Sequence, residues 1–225
     1  MKIVSCRNLV KIYQNSKVTT PVLSGINLSI EQGEFCGITG PSGSGKTTLL
    51  YTLSGLEPIT DGELLLFEKN NKDYSAGEIA DLRKFQIGFV FQFYNLIPNL
   101  TAFENIKLAQ IIAKRDDDEQ VLTALEMVEM AQFKDYFPNE LSGGMQQRVA
   151  IARCLVNQPQ VIFADEPTGN LDQKTGQEIM TIFQKLNRQG ITIILVTHSE
   201  DNLRYCSRHI KLTDGKIIHD HKLEV

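Results

Sequence analysis

The stretch Gly40-Pro41-Ser42-Gly43-Ser44-Gly45-Lys46-Thr47-Thr48, GPSGSGKTT, decides how the rest of the chain is read. Gly40, Gly45, Lys46 and Thr47 meet the spacing G-x-x-x-x-G-K-[ST]. Residues Glu34 to Thr39 (EFCGIT) ahead of it read as a short buried strand, and TTLLYTLSGL continues as an apolar helix starting near Gly45. The glycines let the backbone curl so that successive N–H groups point inward, and the helix aims the positive end of its dipole at the same place. That cradle suits a phosphate chain, with Lys46 reaching the β- and γ-phosphates and the Thr47 hydroxyl holding Mg²⁺. The stretch reads as a nucleoside triphosphate site; the plain alternative is a glycine-rich turn before a helix.

Composition narrows the rest. A chain of 225 residues has room for a sizeable core and for one or two domains. With 42% hydrophobic and 22% charged residues it belongs among ordinary globular proteins. A formal net charge of −4 offers no global attraction to nucleic acid or anionic lipid, so no nucleic-acid partner is expected. The four cysteines, Cys6, Cys36, Cys154 and Cys206, form no C-x-x-C pair, which suggests neither a zinc site nor a redox motif but reduced thiols in a cytosolic protein. The opening MKIVSCRNLVKIYQ lacks a signal-peptide core, and no run approaches the ~18 apolar residues of a membrane span. Membrane contact is expected only through a partner.

Along the chain, Met1 to Leu9 and Pro21 to Ile30 read as two strands around a hairpin-like loop, NSKVTT. Tyr13 falls in this opening region, where its ring is either a purine platform or a packed loop aromatic. ELLLF is a further strand, Ala76 to Lys84 a short helix, and Ile87 to Phe91 a strand ending at Gln92. Thr101 and Glu104 stand at capping-box spacing before a helix that runs through Ile112. The charge run Lys114 to Glu119 reads as a solvated turn feeding acidic residues into the next helix's N-terminus, and VLTALEMVEMA as an amphipathic helix with its apolar face in the core. Roughly residues 95–157 thus look all-helical. VIFAD (strand), Gln173 to Arg188 (helix), ITIILVT (strand), Glu200 to Cys206 (short helix) and a hairpin turned on Asp214-Gly215 complete an α/β rhythm, which argues for a largely parallel sheet covered on both faces.

Two groups stand beside the phosphate loop. Buried parallel strands present reactive groups at their carboxyl ends, so Asp165 and Glu166, closing VIFADE, emerge near it. Asp165 suits Mg²⁺ because a hard cation prefers oxygen ligands, and Glu166 suits a general base for an attacking water. Leu141-Ser142-Gly143-Gly144, followed by the helix-forming MQQRVAIARCL, builds a second anion site from free N–H groups, a hydroxyl and a helix dipole. Either one subunit binds two nucleotides or two subunits each lend half of a shared site.

GPSGSGKTT, Gln92 after FVF, LSGGMQQR, VIFADE, the Asn170-Leu171-Asp172 turn and His198 in LVTHSE resemble, in order and spacing, the nucleotide-binding domain of the ATP-binding cassette (ABC) family across essentially the whole chain. The resemblance implies an α/β P-loop NTPase of RecA-like type. Its mostly parallel core would carry an N-terminal antiparallel β subdomain and an inserted α-helical subdomain at about 95–157, within a single 1–225 cassette. It implies ATP and Mg²⁺ as ligands and a head-to-tail homodimer that sandwiches ATP between the phosphate loop of one subunit and Ser142 to Gly144 of the other. By the same resemblance Gln92 bridges Mg²⁺ and a membrane partner, Asp172 contacts the opposite subunit, His198 contacts the γ-phosphate and Tyr13 stacks on adenine. Donors from the second subunit would complete the charge cage around the γ-phosphate.

QFYNLIPNLTAFENI and ADEPTGNLD look like the branch with lipoprotein-release, macrolide-export, antimicrobial-peptide-resistance and cell-division ATPases. That likeness implies a separate integral membrane permease and a place at the cytoplasmic face of the membrane. The region from Phe93 to Leu108 is either its docking surface or subdomain core. Met145 stands where the branch more often has Gln, Cys154 where Ala is common, and Phe67-Glu68-Lys69 where a glycine-bearing turn is typical. A soluble cassette acting on DNA or ribosomes, or a regulator of a cell-wall enzyme through a membrane partner, are the alternatives.

Overall fold

A computed structural model of the chain describes residues 1–14 and 18–223. Of the expected NSKVTT loop, Asn15 to Lys17 lie outside the described residues. In chain order the elements are β1 (Lys2–Gln14), β2 (Thr19–Glu31), β3 (Phe35–Thr39), α1 (Lys46–Leu53), β4 (Asp61–Leu66), β5 (Lys69–Asn70), α2 (Ala76–Phe85) and β6 (Ile87–Phe91). They continue as α3 (Ala102–Ile112), α4 (Asp118–Met127), α5 (Gly143–Leu155), β7 (Val161–Asp165), α6 (Gln173–Arg188), β8 (Thr192–Val196), β9 (Arg208–Thr213) and β10 (Lys216–Lys222).

The core sheet has the order β10-β9-β3-β8-β7-β6, parallel except for β10 at one edge. Its inner strands are unbroken apolar runs because both faces are covered. Side chains alternate between the faces. Val161, Phe163, Ile194 and Val196 join a core with Leu49, Leu50 and Leu53 of α1 and the four-stranded antiparallel sheet β2-β1-β4-β5. Ile162, Ala164, Ile193 and Leu195 join a second core with Val149 of α5 and Ile179 and Phe183 of α6.

This strand order sets the site. Phe91 pairs with Asp165, and Asp165 with Val196, so Gln92, Glu166 and Thr197-His198 leave the same edge of the sheet side by side. β3 delivers Gly40 to that edge.

Several local expectations are met. Thr101 and Glu104 form a capping box on α3, and Asp117 caps α4 with Asp118 and Glu119 in its first turn. Three readings need correction. α4 stops at Met127, which is exposed, so the VLTALEMVEMA helix is shorter than its periodicity suggests, although Val121, Ala124, Leu125, Val128 and Met130 do enter the core. The Glu200 to Cys206 helix is a 3-10 helix over Glu200–Tyr205. Tyr13 lies in β1 opposite Thr20 rather than in a loop.

Phe67 and Glu68 turn β4 into β5 with φ of 49° and 64°. A two-residue hairpin of this kind needs positive φ at both central residues, which explains why a glycine would be typical there. The Phe93 to Leu108 region divides: Ala102 and Ile106 are core, whereas Phe93 and Ile97 are exposed, as are Ile111 and Ile112 just beyond.

Candidate functional site

The phosphate loop is shaped by its surroundings. Gly40 has φ 153°, and a Cβ there would lie 2.0 Å from the Leu212 carbonyl oxygen of β9. No other residue fits that backbone. Gly215, in the β9–β10 turn, donates its N–H to the Ser44 carbonyl at 3.1 Å and anchors the loop from the other side. Gly45, in left-handed conformation, starts α1.

Lys46 is buried, and its Nζ donates to the carbonyls of Gly40 (3.0 Å) and Pro41 (2.9 Å). An ammonium has three donors, so a third N–H is left for a phosphate oxygen. Burial pulls its pKa down, opposed by the Glu166 and Asp165 carboxylates. The Ser44 hydroxyl is buried with no partner among the described residues. An orphaned hydroxyl and a spare ammonium proton in a curled loop fit a phosphate chain. Ser42, Gly43, Gly45, Lys46, Thr47 and Thr48 line a cavity of about 270 Å³ together with His198.

Thr47 and Asp165 meet across the sheet edge: Thr47 Oγ1 donates to Asp165 Oδ1 at 3.1 Å. Tyr51 Oη donates to the other carboxylate oxygen at 3.0 Å. Burial, then the Asp165 charge, push the Tyr51 phenol up to about 12, so it remains a donor. Nothing singles out Tyr51 in the sequence except its i+4 spacing from Thr47, which puts both on one helix face. Among the described residues no cluster of three or more His, Cys, Asp or Glu is arranged to hold a metal ion alone. A hydroxyl and a single carboxylate at the loop fit Mg²⁺, which takes few protein oxygens and completes its shell with water and phosphate. Gln92 does not join them; its Nε2 donates to Asn170 Oδ1 at 3.0 Å, and Asn170 Nδ2 returns a bond to the Gln92 carbonyl at 3.2 Å.

Glu166 and His198 form a pair, Oε1 to Nε2 2.9 Å. Glu166 has φ 51°, the left-handed region, which is an uncommon and strained conformation for a residue with a side chain. Burial raises its pKa, opposed by His198. With Gln92, Gly169, Asp172 and Thr197 the pair lines a cavity of about 650 Å³, and His198 borders this cavity and the one over the phosphate loop.

Ser142 lies elsewhere. It caps α5, its hydroxyl accepting from the Met145 N–H at 3.3 Å, while the Met145 side chain packs on the core. A Cβ on Gly144 would stand 2.3 Å from Thr175 Cγ2, so this glycine admits the first turn of α6. Asp172 caps that helix by accepting from the N–H and hydroxyl of Thr175, at 3.0 and 2.6 Å, bonds that hold its carboxyl below the usual range. None of Ser142, Gly143 and Gly144 lines either cavity. Tyr13 is half-exposed; its hydroxyl bonds to the Glu57 carboxylate, and the Lys11 ammonium lies 4.8 Å from its ring centre.

The sequence profile described as "ABC transporter" matches residues 23–169, well over half of the chain. An uncharacterized ABC transporter ATP-binding protein of Methanocaldococcus jannaschii, MJ1508, is 46% identical over 218 residues, covering 96% of this chain and 97% of that protein. The macrolide export ATP-binding/permease protein MacB of Bdellovibrio bacteriovorus is 45% identical over 224 residues, covering 98% of this chain but 34% of its own length. The chain therefore spans about a third of that relative. In three dimensions it is similar to the dimeric post-hydrolysis structure of the cassette MJ0796 bound to ADP and Pi, with a TM-score of 0.89, 42% identity and 99% of each chain covered. The relatives and the solved cassette cover at least 96% of this chain, and the chain belongs to the ABC transporter family as an ATP-binding cassette of P-loop NTPase fold, an ATPase.

Proposed function

We propose that this cassette is the ATP-hydrolysing subunit of an ABC transporter or mechanotransmission complex, and that it works as an ATP-sandwich homodimer. It is a single cassette with a helical lobe at about 95–157. It drives a separate integral membrane permease from the cytoplasmic face and contacts the membrane only through that partner. The cargo class is lipoprotein, peptide or drug-like. The relatives named macrolide export ATP-binding/permease proteins support this choice. The exposed Phe93, Ile97, Ile111 and Ile112 offer the permease an apolar face.

One observation carries the dimer: the Ser142 to Gly144 loop borders neither the phosphate-loop cavity nor the Glu166 cavity. A single chain thus offers its donors to one side of a triphosphate only. The second copy's Ser142, Gly143 and Gly144 supply the other side, and Asp172 meets the facing subunit. Tyr13 carries the adenine ring, and the Gly40 to Thr48 loop with Lys46 holds the phosphates. Thr47 and Asp165 would hold Mg²⁺, with Gln92 as a further ligand through the side-chain oxygen that its bond to Asn170 leaves unused, and the ion when bound neutralises charge on the phosphate oxygens. Glu166 takes a proton from the attacking water, and His198 holds Glu166 in place and faces the γ-phosphate. Gln92, tied to Asn170, joins this site to the turn that carries Asp172. Hydrolysis cleaves the γ-phosphoryl group that both copies hold, and once the phosphate leaves the two copies separate and the permease is released from the closed state.

Sedimentation of Glu166→Gln with ATP tests this. A stable dimer is expected; an unchanged monomer would count against the sandwich.

A further inference from the structure

Tyr51 and Thr47 stand on one face of α1, a helical turn apart. Thr47 donates to Oδ1 of Asp165 at 3.1 Å and Tyr51 to Oδ2 at 3.0 Å, so both oxygens of this carboxylate are tied to the same helix. The terminal torsion of an aspartate is broad and two-fold, and a single bond would leave it free to turn. Two bonds from two points fix its plane. The Tyr51 ring also packs edge-on against Phe91, ring centres 6.3 Å apart, and Phe91 precedes Gln92 and pairs with Asp165 in the sheet. One side chain therefore touches both strands whose ends carry Asp165 and Gln92, from the helix that carries Thr47.

We infer that Tyr51 is a positioning residue for the Mg²⁺ side of the nucleotide site: its hydroxyl sets the rotation of the Asp165 carboxylate, and its ring sets the spacing of β6 against β7 where Gln92 emerges. The inference rests on the proposed reading of Thr47, Asp165 and Gln92 as the metal-holding group. Groups that orient a ligand from behind are commonly worth 10–100-fold in metal affinity.

The test is binding of a fluorescent ADP analogue, titrated in EDTA and then against MgCl2. Tyr51→Phe keeps the ring and loses the hydroxyl. Its affinity in EDTA and its thermal midpoint without nucleotide should match the parent, while the MgCl2 concentration that tightens binding should rise about tenfold. Tyr51→Leu, which loses the ring as well, should shift further. Unchanged MgCl2 midpoints in both variants overturn the inference. Equal weakening in EDTA and in MgCl2 also overturns it, because that marks a general structural role. Asp165→Asn separates the two levels: if it moves the MgCl2 midpoint and the Tyr51 variants do not, only the positioning role fails. If it too leaves the midpoint in place, the metal reading fails and the inference with it.

Discussion

The imidazole Nε2 of His198 stands 2.9 Å from Oε1 of Glu166, joining the first residue after β7 to the second after β8. Glu166 is thereby held at the edge of the larger cavity by the residue that borders both, while burial works against its charge. A carboxyl whose pKa is higher folded than unfolded binds its proton more tightly in the folded state. Its contribution is favourable in acid and is lost as pH rises through the folded pKa. Glu166→Gln removes that cost. Its thermal midpoint should match the parent in acid below the ordinary carboxylate range, where the group is protonated both folded and unfolded, and exceed it as pH rises through that range and the raised folded pKa. Turnover should fall about 10²–10⁴-fold with loss of the base. Unfolding curves that stay superimposed from acid to neutral pH would refute the electrostatic part.

Ser142 separates folding from catalysis. Asp caps a helix as well as Ser does, so Ser142→Asp should leave α5 and the thermal midpoint intact. It places a negative charge where a partner's γ-phosphate is proposed to lie, so ATP turnover should collapse. Ser142→Ala loses the cap, at about 1 kcal/mol of stability, and should keep more activity than the Asp variant. Full turnover by Ser142→Asp in a steady-state assay would end the shared-site proposal.

Cys154 and Gly88 form a matched pair. A Cβ on Gly88 would stand 2.1 Å from Cys154 Sγ, so the absence of a side chain at Gly88 is what admits the thiol. Gly88→Ala should destabilise the cassette by about 1–3 kcal/mol through overpacking. In a Cys154→Ala background the cost should shrink, leaving the tight 3.3 Å approach to Pro159. Urea denaturation of the four proteins gives the coupling, and strictly additive effects would contradict the packing.

The Phe67-Glu68 turn stores strain that a glycine would release. Glu68 has φ 64°, so Glu68→Gly should raise stability by up to about 1 kcal/mol. Glu68→Ala removes the carboxylate without freeing the backbone and should give no gain. Equal midpoints for Gly and Ala variants would show that the turn carries no strain.

The sequence by itself determined what depends on near neighbours in the chain. The phosphate loop is legible because its donors, glycines and Lys46 are consecutive. The Thr101–Glu104 capping box spans three residues, and the buried strands β3, β7 and β8 are largely apolar runs. Family resemblance, not periodicity, singled out Asp172 and His198 and chose the adenine role for Tyr13 between the two readings its ring allowed. Only the tertiary structure decided which remote groups touch: Asp165 with Thr47 and Tyr51, Gln92 with Asn170, Gly144 with Thr175 and Gly88 with Cys154. The meetings at the strand ends follow from the order β3-β8-β7-β6, which lays distant segments edge to edge, and those of Gly144 and Gly88 from the packing of α5 against α6 and β6; no local spacing encodes either.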